Sequence, residues 1–161
     1  MIFVTVGTQF SFPRLLNAIN AWASDNPHEK IVAQTGNTDE KYQHLEEHKF
    51  LSTKQYTNYL RQSSLIVGHA GTGTIISALE KCLPCILMVR DYKKNEHRSG
   101  HQSSMANYFK DYDGLYFIYS EYELFELLNC RNELVNAKPK THTNKNLLID
   151  YLGKVISKGK N

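Results

Sequence analysis

The chain has 161 residues, 41% of them hydrophobic and 22% charged, and its 19 Lys and Arg against 16 Asp and Glu residues give a net charge of +3. This is an ordinary globular composition at about the length of one domain, which excludes disordered and fibrous proteins. The longest unbroken apolar run, residues 85–89, is far shorter than the ~20 residues that span a bilayer. The start of the chain lacks the pattern of a secretory signal and is expected to be a strand of the mature fold.

Short apolar segments alternate along the chain with segments of helical period. Strands are predicted at residues 2–6, 30–33, 49–52, 64–68, 84–89 and 115–119. Helices are predicted at residues 13–23, 74–81, 101–109, 122–128 and 144–157, and a further helix passes through Tyr56, Tyr59 and Leu60. Repeated strand–helix units predict an α/β fold, Rossmann-like, with a mostly parallel sheet and helices on both faces.

The charge is divided unevenly along the chain. Residues 131–161 carry seven basic and two acidic residues, a balance of +5, which leaves twelve basic and fourteen acidic residues, a balance of −2, in residues 1–130. A nucleic-acid binder would carry positive charge over a whole face, so no nucleic-acid partner is expected. We divide the chain into an α/β domain (residues 1–130), a linker (131–143), and an amphipathic helix with a basic tail (144–161). The tail serves solubility or faces anionic lipid headgroups, and the helix packs on its own sheet or on a partner.

Ligands of open parallel sheets bind at the carboxyl ends of the strands, and two loops there are rich in glycine and small polar residues. Gly7, Thr8 and Gln9 follow the first strand. Residues 68–74, with the sequence GHAGTGT, connect a strand to a helix. Glycines and hydroxyls at a helix N-terminus are typical of an anion site, because unpaired N–H groups and the helix dipole face the ligand. The alternative is a tight turn capped by Thr74, but one cap does not require three glycines.

Two common phosphate motifs are absent from these loops. A P-loop requires a lysine after its second glycine, where this chain has Thr74. A dinucleotide-binding fingerprint requires GxGxxG in the first turn and an acidic residue at the end of the second strand. In this chain the first turn has Gly7 without the further glycines, and the second strand ends at Gln34. We therefore expect no NAD binding and no resident cofactor.

A third loop, residues 90–100, leads into His101 and Gln102, whose side chains suit sugar hydroxyls, although a solvated loop is equally compatible with the pattern. Glu80, judged by position alone, is a solvent-facing helix carboxylate.

The cysteines are few and odd in number, which fits a reducing cytoplasm. Cys82 and Cys85 form a CxxC pattern at the end of a predicted helix, where the helix dipole disfavours the thiolate. We therefore interpret the pair as packing residues rather than as a redox site. Zinc would need more ligands than Cys130 adds, so no metal site is expected.

Several of these segments recur together in a known family. Residues 1–9, Phe12, residues 14–16, residues 69–74, Glu80 and the pair His101–Gln102 resemble, in order and spacing, the C-terminal domain of glycosyltransferase family 28. The chain looks most like the small enhancer subunit of two-component capsular or exopolysaccharide galactosyltransferases. It is also similar to the soluble half of the dolichol-linked N-acetylglucosamine transferase.

The resemblance implies the half of a GT-B fold that binds a UDP-sugar. By matching position, Gly7, Thr8 and Gln9 line the diphosphate cleft, Glu80 binds the ribose diol, and His101 and Gln102 face the sugar. The phosphate is held by residues of the second loop, and the donor-binding set there is His69, Gly71, Thr72, Gly73 and Thr74. Ser99 and Gly100 stand where relatives often carry an acidic residue, so galactose and N-acetylglucosamine both stay open.

The resemblance also implies a partner. The general base and the acceptor groove of GT-B enzymes belong to the other half, which these 161 residues do not contain. We expect a cytoplasmic subunit, inactive alone, that a membrane-associated acceptor-binding glycosyltransferase subunit recruits to the inner face of the membrane to act on a lipid-linked saccharide. The alternatives are a non-catalytic stabilising subunit, a thiol oxidoreductase, and a GT-B epimerase, which the length disfavours.

Overall fold

The structure, a computed structural model, describes residues 1–94, 96 and 101–139, and for residues 101–103 it describes the backbone alone. Its strands are β1 (Ile2–Thr5), β2 (Ile31–Gln34), β3 (Glu46–His48), β4 (Leu65–His69), β5 (Cys85–Met88) and β6 (Leu115–Ile118). Its α-helices are α1 (Pro13–Asp25), α2 (Thr53–Gln62), α3 (Thr72–Lys81), α4 (His101–Phe109) and α5 (Glu121–Asn129).

The strands form one parallel sheet in the order β3-β2-β1-β4-β5-β6, which confirms the predicted fold class. The chain moves outward from β1 through β2 to β3, then returns to the other side of β1 and moves outward again from β4 to β6. The direction of winding therefore reverses between β1 and β4. At such a switch point the loops that follow the two neighbouring strands diverge and leave a crevice.

Helices cover both faces of the sheet. One core cluster joins Val4 of β1 to Leu16 of α1 and to Leu124 of α5. The cluster on the other face joins Phe3 of β1 to Ile75 of α3, and includes residues of α2 and α4. Because consecutive strand side chains point to opposite faces, a strand covered on both sides is a continuous apolar run, which is why β1 and β5 are easily recognised in the sequence.

The third strand lies earlier than predicted. The prediction placed it at residues 49–52, but β3 occupies Glu46–His48, in a polar stretch for which no strand is predicted. It is a three-residue edge strand with exposed or half-buried side chains, so it carries no apolar signal. Ser52 instead begins α2 with a capping box, in which its hydroxyl accepts from the Gln55 N–H and its own N–H donates to the Gln55 side chain.

Part of the segment predicted as a linker packs on the domain. Ala137 is fully buried, with its backbone directly against Gly114, and the Val135 N–H donates to the Tyr116 hydroxyl over 2.9 Å. Residues 140–143 and the predicted helix at residues 144–157 lie outside the described residues. Among the helices that the structure describes, none has the length and apolar character to cross a membrane.

Helix α3 ends with a non-glycine residue in the left-handed backbone region. Cys82 has a φ of 51°, a conformation that costs a residue with a Cβ about 1–2 kcal/mol. Glycine removes that cost and loses about 0.5–1 kcal/mol through the entropy of the unfolded chain. We expect Cys82→Gly to raise the free energy of unfolding by about 0.5–1 kcal/mol in urea denaturation. Cys130→Gly, at a helix end with a φ of −101°, is the matched control and is expected to destabilise; equal effects of the two would contradict the strain argument.

Candidate functional site

The loop after β1 turns sharply at Gly7, which has a φ of +78°. Its N–H donates to the Thr5 hydroxyl over 3.2 Å, and its carbonyl accepts from the Gln34 side chain over 3.2 Å. The polar backbone groups of Gly7 are therefore engaged within the fold. The next two residues, Thr8 and Gln9, are exposed at the carboxyl end of the sheet, as a role in lining the cleft requires.

The loops after β1 and β4 meet at the imidazole of His69. A Cβ on Gly7 would lie 2.8 Å from His69 Cε1, and a Cβ on Gly71 would overlap His69 Nε2. The half-buried ring thus fills the space that a Cβ would take at either position, so both positions require glycine. The structure therefore brings together three residues of the predicted set, Gly7, His69 and Gly71, through close packing.

Helix α3 begins at this crevice. Its N-cap is Gly71, which has no side chain to satisfy the first N–H groups, and its first intrahelical bond runs from the Ile75 N–H to the Gly71 carbonyl over 3.1 Å. The N–H groups of the preceding turn, residues 72–74, lack intrahelical acceptors, and the helix dipole adds a positive potential there. A Cβ on Gly73 would meet nothing within 4 Å, so the space beside this turn is open. The arrangement fits an anion.

The alternative in which Thr74 caps the helix is wrong. The helix starts two residues before the predicted position, because an N-cap glycine gives no polar side-chain signal in the sequence. The Thr74 side chain is 3% exposed, and a Cβ on Gly68 would meet its methyl carbon at 3.0 Å. Thr74 therefore packs onto the sheet, whereas Thr72, the first residue of the helix, is half-buried beside the crevice.

The remaining predicted site residues lie further from the two loops, or their side chains lie outside the described residues. Glu80 is exposed near the other end of α3, eight residues after Thr72, which is ~12 Å along a helix that rises about 1.5 Å per residue. The structure does not bring it to the two loops. His101 and Gln102 open α4 by their backbone, and their side chains lie outside the described residues.

A buried arginine that the sequence analysis did not single out holds the β1 loop. Arg90 follows β5 and is 4% exposed. Its guanidinium donates to the carbonyl oxygens of Val6 (2.9 Å), Phe10 (2.9 Å), Ser11 (2.7 Å) and Glu96 (3.0 Å). Burial lowers the pKa of Arg90 to about 10, against the opposing effect of the Glu96 charge, so the side chain is still protonated at neutral pH.

A second arginine, Arg14, forms a bidentate ion pair with the carboxylate of Glu96. Arg14 Nε and Nη2 donate to the two carboxylate oxygens over 2.6 and 2.8 Å, and the Asp91 N–H donates to the same carboxylate over 2.7 Å. Burial raises the pKa of Glu96, but the hydrogen bonds from Arg14 and Asp91 together with the Arg14 charge hold it below its usual value. Two features of the sequence could have pointed to these arginines: Arg90 directly follows a buried apolar run, and Arg14 lies at the start of a helix.

Away from the crevice, the structure has a depression of about 360 Å³ between β6 and α5. It is lined by Tyr116, Phe117, Ile118, Glu123, Glu126 and Leu127. None of these belongs to the predicted donor-binding set. In the part of the chain that the structure describes, no group of three or more His, Cys, Asp or Glu residues is arranged to hold a metal ion.

The sheet order, the helices on both faces and the crevice at the switch point define a Rossmann-like α/β domain. The sequence model described as "Glycosyltransferase family 28 C-terminal domain" matches residues 1–149, and the chain belongs to this family. The expected family membership is therefore confirmed, and with it the chain is a glycosyltransferase domain. A comparison with curated protein sequences gives no significant match.

Solved structures of glycosyltransferases share the fold. The chain is similar to a solution structure of ALG13, with a TM-score of 0.62 and 20% identity over 91% of this chain and 94% of that one. It is similar to MurG of Acinetobacter baumannii (TM-score 0.57, 13% identity, 81% of this chain and 40% of that one). It is also similar to the glycotransferase of kitacinnamycin (TM-score 0.56, 14% identity, 80% and 34%). The chain thus spans about a third to two fifths of the latter two and has the fold of the C-terminal half of GT-B glycosyltransferases.

Proposed function

We propose that the chain binds the diphosphate of a UDP-sugar in the crevice between β1 and β4 and is the donor-binding subunit of a glycosyltransferase. One observation carries the proposal: α3 begins at the switch point of the sheet, with a glycine cap and open space beside Gly73. Its first N–H groups and its dipole there suit two negatively charged phosphates. Membership of the glycosyltransferase family supports this assignment.

The proposed chemistry concerns the leaving group. When an acceptor hydroxyl attacks the anomeric carbon, the bond from that carbon to the β-phosphate oxygen breaks and its electron pair moves onto UDP. Fixed dipoles that point at the diphosphate stabilise the developing charge without reorganisation. In this chain the N–H groups of Thr72, Gly73 and Thr74 take that role. Thr8 and Gln9, which are exposed beside the crevice, line its other wall.

The rest of the donor is assigned from the resemblance. Glu80 accepts hydrogen bonds from the ribose diol, which requires the nucleoside to lie along α3, given the ~12 Å between this residue and the start of the helix. His101 and Gln102 face the sugar. The sugar is galactose or N-acetylglucosamine.

The acceptor side is assigned to a partner. We propose that the general base and the acceptor groove belong to a membrane-associated glycosyltransferase subunit, that the acceptor is a lipid-linked saccharide of a surface polysaccharide, and that the chain is inactive alone. The similarity to ALG13, which this chain matches over 94% of that chain, supports a subunit of this size. The amphipathic helix and basic tail predicted at residues 144–161, outside the described residues, contribute lysines toward anionic headgroups.

The structure gives no support to the alternative function of a thiol oxidoreductase. Cys85 is fully buried in β5, and burial raises the pKa of its thiol well above the ordinary value. Cys82 is exposed at the C-terminal end of α3, whereas a reactive cysteine of a CxxC pair lies at a helix N-terminus. Neither cysteine has surroundings that would activate it.

Calorimetric titration tests the proposal. UDP, UDP-galactose and UDP-N-acetylglucosamine are titrated into the chain with and without its partner, and uridine is the control that lacks phosphates. We expect saturable binding of UDP and of one UDP-sugar, and at least about tenfold weaker binding of uridine, because the phosphates supply the main contacts. A non-catalytic stabilising subunit would bind none of the three with or without the partner, and that outcome would overturn the proposal.

A further inference from the structure

The segment after β5 is tied to the loop after β1 by three charged side chains, which we name the arginine clamp: Arg14, Arg90 and Glu96. The clamp is nearly closed to solvent, since the Arg14 and Glu96 side chains are 10% and 11% exposed and Arg90 is 4% exposed. Its members come from the start of α1, the end of β5 and the segment that precedes α4. It therefore joins stretches of chain that are distant in sequence.

The clamp holds the backbone before and after residues 7–9, which belong to the proposed donor site. Arg90 holds the carbonyl oxygens of Val6, Phe10 and Ser11, which bracket residues 7–9. Glu96 stands five residues before His101, the start of α4. The same Arg90 Nη1 that bonds Ser11 also bonds the Glu96 carbonyl over 3.0 Å. One guanidinium thus ties the β1 loop to the backbone of Glu96.

The carboxylate of Glu96 is the part of the clamp that cannot be replaced by a neutral group. Oε1 accepts from Arg14 Nε, and Oε2 accepts from both Arg14 Nη2 and the Asp91 N–H. A glutamine in its place would turn an N–H₂ group toward one of these donors and would remove the negative charge that pairs with Arg14. The next carboxylate on Arg14, that of Glu121, is 3.9 Å away and 43% exposed, so it compensates weakly.

We propose that Glu96 is a positioning residue for donor binding: its carboxylate accepts from Arg14 and from the Asp91 N–H, its carbonyl accepts from Arg90, and these bonds hold Arg90 against the β1 loop, which forms one wall of the donor crevice. This inference rests on the proposed function. Glu96 does not touch the donor itself. Its loss loosens the crevice in the absence of ligand and weakens binding of the donor, while the sheet stays folded.

The test compares Glu96→Gln with Glu29→Gln. Glu29 is the matched control because its carboxylate accepts from Arg131 Nε over 3.0 Å in a similarly enclosed pair, 18% and 26% exposed. It lies just before β2, at the amino end of the strands, whereas the crevice lies at their carboxyl ends. UDP affinity is measured by calorimetry, and amide hydrogen exchange of residues 7–12 is measured without ligand. Circular dichroism melting shows that both variants are folded.

Glu96→Gln is expected to weaken UDP binding at least about tenfold and to speed exchange in residues 7–12, whereas Glu29→Gln changes affinity by no more than about twofold. The double variant Arg14→Gln/Glu96→Gln is expected to bind no more weakly than the worse single variant, since both act through one pair. If the wild-type chain binds UDP and Glu96→Gln binds it with the same affinity, the inference about Glu96 is overturned, but the proposed function is not. Absence of UDP binding by the wild-type chain overturns the proposed function as well.

Discussion

Arg90→Met is expected to lower the free energy of unfolding by about 3–5 kcal/mol, because it removes a buried side chain that donates hydrogen bonds to four carbonyl oxygens. Methionine fills part of the space of the arginine stem but donates no hydrogen bond. Four carbonyl oxygens then lose a donor, and each buried acceptor left unsatisfied costs about 1–3 kcal/mol, part of which water recovers. Urea denaturation of the two proteins measures the difference.

Two further variants show whether the effect belongs to the bonds of Arg90. Arg61→Met changes an exposed arginine of α2 and is expected to alter stability by no more than about 0.5 kcal/mol. Arg90→Lys keeps the charge, but a single ammonium cannot span the four oxygens, so an intermediate loss is expected. An Arg90→Met protein as stable as Arg61→Met would contradict the assignment of Arg90 as the anchor of the β1 loop.

Gly73→Asp is expected to weaken UDP binding about a hundredfold while leaving the fold intact or more stable. The side chain enters open space at the second residue of α3. A carboxylate in the first turn interacts favourably with the helix dipole, by about 0.3–1 kcal/mol, and glycine is a poor helix former. The same carboxylate occupies the proposed phosphate site and repels the diphosphate. Stability and affinity therefore change in opposite directions.

Gly73→Asn is the matched control, because asparagine has the same size without the charge. We expect Gly73→Asn to lose less UDP affinity than Gly73→Asp. The difference in UDP affinity between the two variants is expected to shrink at high salt, because screening weakens the repulsion. Calorimetry at two salt concentrations and thermal melting measure both quantities. Equal UDP affinity in the wild type and Gly73→Asp would place the phosphates elsewhere.

The sheet could be predicted from the sequence where strands are buried on both faces. The residues of β1 and β5 are all fully buried, so covering helices impose an apolar run that is visible without a structure. Edge strand β3, with the sequence EEH, is exposed or half-buried and is held by backbone pairing to β2, which leaves no side-chain pattern. Its prediction failed for that reason.

The site could be predicted only in part, for a related reason. The glycine-rich loop at residues 68–74, between a strand and a helix, is a local feature that the sequence displays, although it does not show that the helix starts at Thr72. The contact of Gly7 with the His69 ring and the bonds of Arg90 to the β1 loop join residues that are far apart in the chain. An arginine after an apolar run reads as a solvated end of a strand, and only the folded sheet shows that it is buried.

The central claim is that UDP binds where α3 begins at the crevice. Titration of the ¹⁵N-labelled chain with UDP, followed by the amide signals, tests it most directly. The account predicts saturable shifts of the amides of Thr8, Thr72 and Gly73, whereas the amides around the Glu29–Arg131 pair, at the amino end of the strands, stay unchanged. No saturable shift, or shifts confined to the depression beside Tyr116 and Phe117, would contradict it.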